Sequence, residues 1–201
     1  MKISGEATVR GPVERVYAAL NDPAVLVRTI PGCERLERVG PDAYTMTLTA
    51  GVAAIKGTYT GDVVLTDQDA PHGFVLKASG SGAPGTVSAE ARVRLAAGDG
   101  GTTTVRYDAD AVVGGMVGGV GQRVLTGVAR RTAGEFFAAV DDVLNGAVGE
   151  AGRRAAGPAD VAVFERPARA VPGDFARGVV FGAAAALLGV VVGVLIGRRR
   201  G

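Results

Sequence analysis

Residues able to do chemistry are few in this chain and poorly grouped. Gly80-Ser81-Gly82-Ala83-Pro84-Gly85 fits the G-x-G-x-x-G pattern with which a chain cradles a pyrophosphate on helix N–H groups. That use needs a strand before the run and a helix after it, whereas Pro84-Gly85 leads into another strand-like segment, so the run reads as a turn. A second glycine cluster, Gly114 to Gly121, stands between a strand pattern and a helix pattern but lacks the Lys-Ser/Thr pair of a phosphate loop. The tight acidic clusters are Asp67-Gln68-Asp69 and Asp108 with Asp110, and the latter pair falls on the polar face of its strand. Cys33 is the only cysteine and His72 the only histidine, which excludes an internal disulfide and the usual zinc spacings. His72 lies in the turn signal Ala70-Pro71-His72-Gly73, and Cys33 follows a Pro31-Gly32 bend, so no Ser/His/Asp or Cys/His arrangement is suggested. The expectation is no catalytic residue, no metal and no covalent cofactor. What remains is binding.

The elements that would position a binding site follow from hydrophobic periodicity. Ile3, Gly5, Ala7 and Val9 alternate with polar residues as in a half-buried strand. Pro12 suits a first helical turn, and Val13, Val16, Tyr17 and Leu20 recur at helical spacing; a second short helix, Ala24 to Thr29, stops before Ile30-Pro31. Strand alternation then runs through Tyr44 to Leu48, Tyr59 to Leu65, Phe74 to Ala78, Val87 to Leu95 and Val105 to Ala111. Turns with Gly, Pro and Asp link these runs closely, which makes an antiparallel sheet with one face wet and one covered. From Val113 to Leu144 the period becomes helical. Val117, Val120, Val124, Val128, Phe136, Val140 and Leu144 form one stripe, with Arg123, Arg130, Arg131, Glu135, Asp141 and Asp142 mostly off it. The covering element is therefore expected to be this long helix.

Its first half is rich in glycine, and each glycine in a helix interior costs about 1 kcal/mol against alanine, so something outside must hold it. The covered sheet face is also lean: Gly5, Ala7, Gly61, Ala78, Ala89, Ala91, Ala109 and Ala111 stand where a packed core favours larger residues. Interiors do not keep such voids. Either the helix sits unusually close to the sheet, or an apolar ligand completes the core. On the second reading the lining is expected from Tyr59, Phe74, Leu76, Ala89, Ala91, Tyr107, Ala109, Val117, Val120 and Val124.

The order strand, two helices, strand run, long helix resembles that of α+β helix-grip domains of the START and birch-pollen-allergen type. A closer resemblance lies in particular strings. Met1-Lys2-Ile3-Ser4-Gly5, Ala19-Leu20-Asn21-Asp22-Pro23, Ile30-Pro31-Gly32-Cys33-Glu34, Lys56-Gly57 through Gly61-Asp62-Val63, Tyr107-Asp108-Ala109-Asp110-Ala111 and Phe136-Phe137 look like the carbon monoxide dehydrogenase G-subunit family. The similarity runs over about residues 1–145, and Ile-Pro-Gly-Cys-Glu is its most specific piece; Tyr59 departs from the phenylalanine usual after the Lys56 region. The resemblance implies a non-catalytic accessory protein of molybdenum hydroxylase systems, associated with the membrane, whose apolar cavity suits menaquinone, another quinone or a similar lipid. A scaffold without ligand and a polyketide cyclase or aromatase remain the other two readings.

Charge separates the chain into unequal parts. Residues 1–145 carry 14 Lys and Arg against 16 Asp and Glu, and residues 146–201 carry 8 against 4, so no basic face for nucleic acid is expected on the domain. Residues 146–177, with Pro158, Pro167 and Pro172, read as a flexible linker. Residues 178–197 hold no charge, span about 30 Å as a helix and close on Arg198 to Arg200, the signature of a transmembrane segment beside anionic lipid. Gly178, Gly182, Gly189, Gly193 and Gly197 give it a small-residue face suited to a homodimer. Charges flanking the segment tie at three against three, and Met1 to Arg10 has no signal-peptide core, so the domain is placed in the cytoplasm.

Overall fold

Alternation and turn chemistry produce one antiparallel sheet gripping a long helix. The computed structural model describes residues 1–146 and 162–165. Within them the chain runs β1 (Lys2–Arg10), α1 (Val13–Leu20), α2 (Pro23–Thr29), β2 (Cys33–Arg38), β3 (Ala43–Val52), β4 (Ile55–Asp69), β5 (Gly73–Gly82), β6 (Gly85–Ala97), β7 (Thr102–Gly114), α3 (Gly115–Gly118), α4 (Gln122–Leu144) and β8 (Ala162–Glu165). The sheet order is β1-β7-β6-β5-β4-β3-β2-β8, every pair antiparallel. Its inner face carries Ile3, Val9, Leu48, Val63, Val93 and Val105, all buried. The expected α+β architecture is present, with α4 packed against β1 and α2.

Three details of the expected layout are corrected. The helix expected from Val113 begins only at Gln122: Val113 and Gly114 end β7, and a short α3 intervenes. Gly115 at φ +74° and Gly121 at φ +96° take backbone conformations that other residues rarely adopt, which interrupts the helix that periodicity alone suggested. A Cβ on Gly115 would also stand 2.6 Å from Gly85 Cα, so the glycines let this crossover press on the β5–β6 hairpin. Starting later turns the buried stripe to Leu125, Ala129, Thr132, Ala133, Phe137 and Val140, and leaves Val124 45% exposed. Cys33–Arg38 forms a strand that the polar CERLER string did not announce. Within the expected linker, β8 pairs with β2 through Arg35↔Glu165 to Arg38↔Ala162 and places Phe164 against the core.

The transmembrane segment expected at 178–197 lies outside the described residues. Among the described residues no helix is long and apolar enough to cross a membrane.

Local signals set the helix ends. Asp22 caps α2, its Oδ1 accepting from Ala24 N at 2.9 Å, with Pro23 in the first turn. At the far end of α4, Asp141 accepts from Arg10 N at 2.7 Å and Arg10 Nε at 2.9 Å, Arg15 donates to Leu144 O, and Asn145 Nδ2 donates to Asp141 O at 2.7 Å. The donation from Arg10 holds the Asp141 carboxyl below its usual range. A carboxyl that is more acidic folded than unfolded adds stability above about pH 4 and loses it as pH falls through its lowered value. Asp141→Asn is expected to lower Tm at pH 7, with the gap to wild type narrowing below about pH 4. Melting curves that stay parallel across that range would contradict the assignment.

Candidate ligand-binding site

Side-chain size along α4 decides where space is left. Ala129 and Ala133 are fully buried, small residues on a helix whose close backbone approach to the sheet is at β1. On the same helix Thr132, Phe136 and Phe137 face a cavity of about 110 Å³. Sheet residues Leu36, Tyr44, Met46, Val63, Leu65, Phe74, Leu76, Ala91, Val93 and Tyr107 line it from one side, Thr132, Phe136 and Phe137 from α4, and Leu20, Leu26, Ile30 and Pro31 from the α1–α2 end. Its half-buried lining residues are Leu26, Pro31 and Phe136, where α2 meets α4, and Leu76 on β5.

Two glycines shape this wall. Gly5 pairs with Tyr107 across β1 and β7, and a Cβ there would stand 2.2 Å from the Tyr107 hydroxyl, so its absence lets the phenol lie over β1. Tyr107 stacks on Phe137 at 5.8 Å and 27°, and Phe137 meets Phe136 edge-on at 5.1 Å. Gly32, at φ +74°, has no room for a Cβ, which would lie 2.1 Å from Thr49 O; it turns the chain so that Ile30 and Pro31 face the cavity. That gives the Ile30-Pro31-Gly32 string a physical role.

The lining is apolar except for three hydroxyls, on Tyr44, Tyr107 and Thr132. Burial raises the Tyr107 phenol above its ordinary pKa, offset in part by the charge of Arg130, so it stays protonated at neutral pH. Thr132 Oγ1 is buried with no hydrogen-bond partner. No carboxylate, imidazole, amine or thiol lines the cavity, and no group of His, Cys, Asp and Glu suited to a metal occurs among the described residues. Cys33 is buried outside it, its Sγ 3.6 Å from Arg35 O. Asp108 and Asp110 project into solvent, and Gly80 to Gly85 form the β5–β6 hairpin rather than a phosphate cradle.

Of the residues expected to line a cavity, Phe74, Leu76, Ala91 and Tyr107 do so together. Tyr59, Ala89, Ala109 and Val117 are buried in the closed part of the core, and Val120 is half-buried there. Val124 is solvent-exposed and does not line this cavity, because the helix starts later than its periodicity implied. Leu20, Leu26, Leu36, Tyr44, Met46 and Thr132 were not foreseen; the Ile30-Pro31-Gly32 and Phe136-Phe137 strings carried the available signal.

The model of the carbon monoxide dehydrogenase G-subunit family (CoxG) matches residues 5–145. No curated protein matches the chain. Among solved structures, a conserved protein from Geobacillus kaustophilus is 36% identical, with a TM-score of 0.69 over 72% of this chain and 95% of that one. The ZhuI aromatase/cyclase from Streptomyces sp. R1128 is 19% identical, TM-score 0.54, over 76% and 98%. A START superfamily protein from Mycobacterium smegmatis is 12% identical, TM-score 0.57, over 73% and 99%. At those identities the last two speak for the fold alone, which is START-like.

The difference between the open and closed parts of the core is measurable. Ala91→Leu projects into the cavity and is expected to leave stability within about 1 kcal/mol of wild type, whereas Ala129→Leu, in the closed part, is expected to lose about 1–3 kcal/mol by overpacking. Chemical denaturation of both variants checks this; equal losses would mean that Ala91 faces no usable space.

Proposed function

The chain belongs to the carbon monoxide dehydrogenase G-subunit family, and on that premise we propose that it is a non-catalytic accessory carrier for a ring-bearing lipid, a quinone such as menaquinone being the leading candidate. It serves a molybdenum hydroxylase of the carbon monoxide dehydrogenase type and is tethered to the membrane by residues 178–197. The observation that carries this reading is the aromatic-walled apolar cavity between α2, α4 and the sheet. The uncharged run from Gly178 to Gly197, closed by three arginines, supports the tether.

Size and energy define what such a cavity does. Sites that enclose a whole drug-sized ligand run to about 300–1,000 Å³, and an apolar cavity of about 150 Å³ takes a benzene. At about 110 Å³ the space suits one ring, so the second ring of a naphthoquinone and the rest of a lipid must lie along the rim at Leu26, Pro31 and Phe136. A ring hiding about 150 Å² at about 25 cal/mol per Å² gains about 4 kcal/mol, a millimolar affinity, to which each buried methylene adds about 0.8 kcal/mol. The tail therefore sets the affinity, and a partner or membrane that strips the tail from the rim releases the ring. A cyclase-like activity on this fold needs groups that exchange protons, and the lining offers only two phenols and one aliphatic hydroxyl.

Full-length protein isolated without detergent is expected to carry an isoprenoid quinone or related lipid in organic extracts analysed by mass spectrometry, with Ala91→Phe reducing the amount. A lipid-free preparation that still recruits the hydroxylase to membranes would replace the carrier by a scaffold.

A further inference from the structure

The two ends of the sheet differ in charge. At one end the β3–β4 turn, the β5–β6 turn and the β7–α3–α4 crossover come together. A Cβ on Gly57 would stand 2.4 Å from Pro84 Cγ, and Val117 N donates to Pro84 O at 3.2 Å, so the three loops form one continuous surface. Residues 43–61, 78–89 and 111–134, which make those loops and the strand and helix ends behind them, contain no Asp or Glu. Their charges are Lys56, Arg123, Arg130 and Arg131, the last paired with Glu135. Lys56 and Arg123 are exposed at the loops themselves. Glu34, which reaches the side of β3, accepts from the Thr49 hydroxyl at 2.7 Å. At the opposite end stand Asp42, Asp67, Asp69, Asp99, Asp141 and Asp142.

Apolar exposure gathers at the uncharged end too. Val112, Met116 and Val124 are three of the six large hydrophobic residues exposed among the described residues, and all three flank the crossover. Exposed Ala53, Ala54 and Ala83 tip the two hairpins.

We propose that this end of the domain is a docking surface for an anionic lipid bilayer, its loops at the headgroup level and Lys56 and Arg123 against phosphates. This rests on the tether reading and adds which way the domain faces. Residues 1–145 carry 14 Lys and Arg against 16 Asp and Glu, so an unoriented domain gains nothing from anionic lipid, and the reverse pose would press aspartates on it. The loop end is where cations and apolar side chains meet without carboxylates. The course of the chain points the same way. β8 runs antiparallel to β2, from Ala162 opposite Arg38 to Glu165 opposite Arg35, and so heads toward the β3–β4 turn. Beyond Glu165 only residues 166–177 precede the uncharged run, a reach of at most about 40 Å at full extension, and they carry Arg166, Arg169 and Arg177 against Asp174.

The chain has no Trp, so single tryptophans report position. Met116→Trp and Ala54→Trp place one on two different loops, and Val39→Trp one on the β2–β3 turn at the opposite end, each at an exposed site. Full-length protein is reconstituted in nanodiscs of acyl-brominated phosphatidylcholine, with or without phosphatidylglycerol, and fluorescence quenching is read. We expect quenching at positions 116 and 54 but not at 39, chiefly with phosphatidylglycerol present. In the Met116→Trp background, Lys56→Gln with Arg123→Gln lowers the ratio of docked to free domain about fivefold for each cation removed. Quenching at 39 as strong as at 116, quenching that ignores lipid charge, or none at 116 and 54 overturns the docking. With the chain still held on the nanodisc, the tether then stands and this end falls to a protein partner or a second copy. A chain that stays with nanodiscs of neither kind overturns both.

Discussion

The distance between α4 and the sheet is set side chain by side chain, and most of the molecule follows from it. Where the helix carries Ala129 and Ala133, both fully buried, its backbone comes near the sheet at β1. Thr132, Phe136 and Phe137 face the cavity, and the sheet residues opposite them do not close the gap. Small residues permit close approach at the β1 edge, while rigid rings leave a cavity beside it because they cannot flow into corners. Gly5 belongs to the same arrangement: a methyl there would strike the Tyr107 hydroxyl and push its ring from the stack on Phe137.

Such a helix must be fixed at both ends, or its tilt would change the gap. At its start, Gly115 and Gly121 bring the chain tightly round, with Val117 N bound to Pro84 O at 3.2 Å on the β5–β6 hairpin. At its finish, Arg10 and Arg15 reach from β1 and α1 to Asp141 and Leu144 O. Exposed ion pairs individually contribute little. Here the value lies in geometry, because Asp141 also accepts from the Arg10 backbone and so ties the helix to one register of the sheet edge. Between these two fixed ends lies the seam with α2, where Leu26, Pro31 and Phe136 are half-buried.

How much of this was legible depends on whether a feature is local. Strands such as Val87 to Leu95 could be read because a period of two has one interpretation, and α1 and α2 because proline and a capping aspartate fix their ends. The start of α4 was misread because glycine at positive φ leaves no mark on a hydrophobic period; the valines at 117, 120 and 124 kept helical spacing across a stretch that is not one helix. β2 was missed because a strand with polar residues on both faces lacks alternation, and β8 because four residues carry too little pattern. The lean positions of the sheet are largely buried, and of the residues expected to line a cavity Phe74, Leu76, Ala91 and Tyr107 surround the one described here. Alanines on strands say that volume is available; only the residues of α4 opposite them decide whether the helix moves in to take it.

That last distinction bears on what the site is for. A cavity made by missing side chains would be filled as readily by evolution as by a ligand, since any added methylene there gains buried area. This cavity is bounded instead mostly by side chains that are present and large, with Tyr107, Phe137 and Phe136 in mutual ring contact along one wall. Ala91 is the small residue on its lining from which a larger side chain could enter it, while the rings of the aromatic wall fix one another in place. The void costs stability, because its lining atoms forgo contacts that a filled core would make, and the ring contacts beside it keep the wall from collapsing inward to recover them.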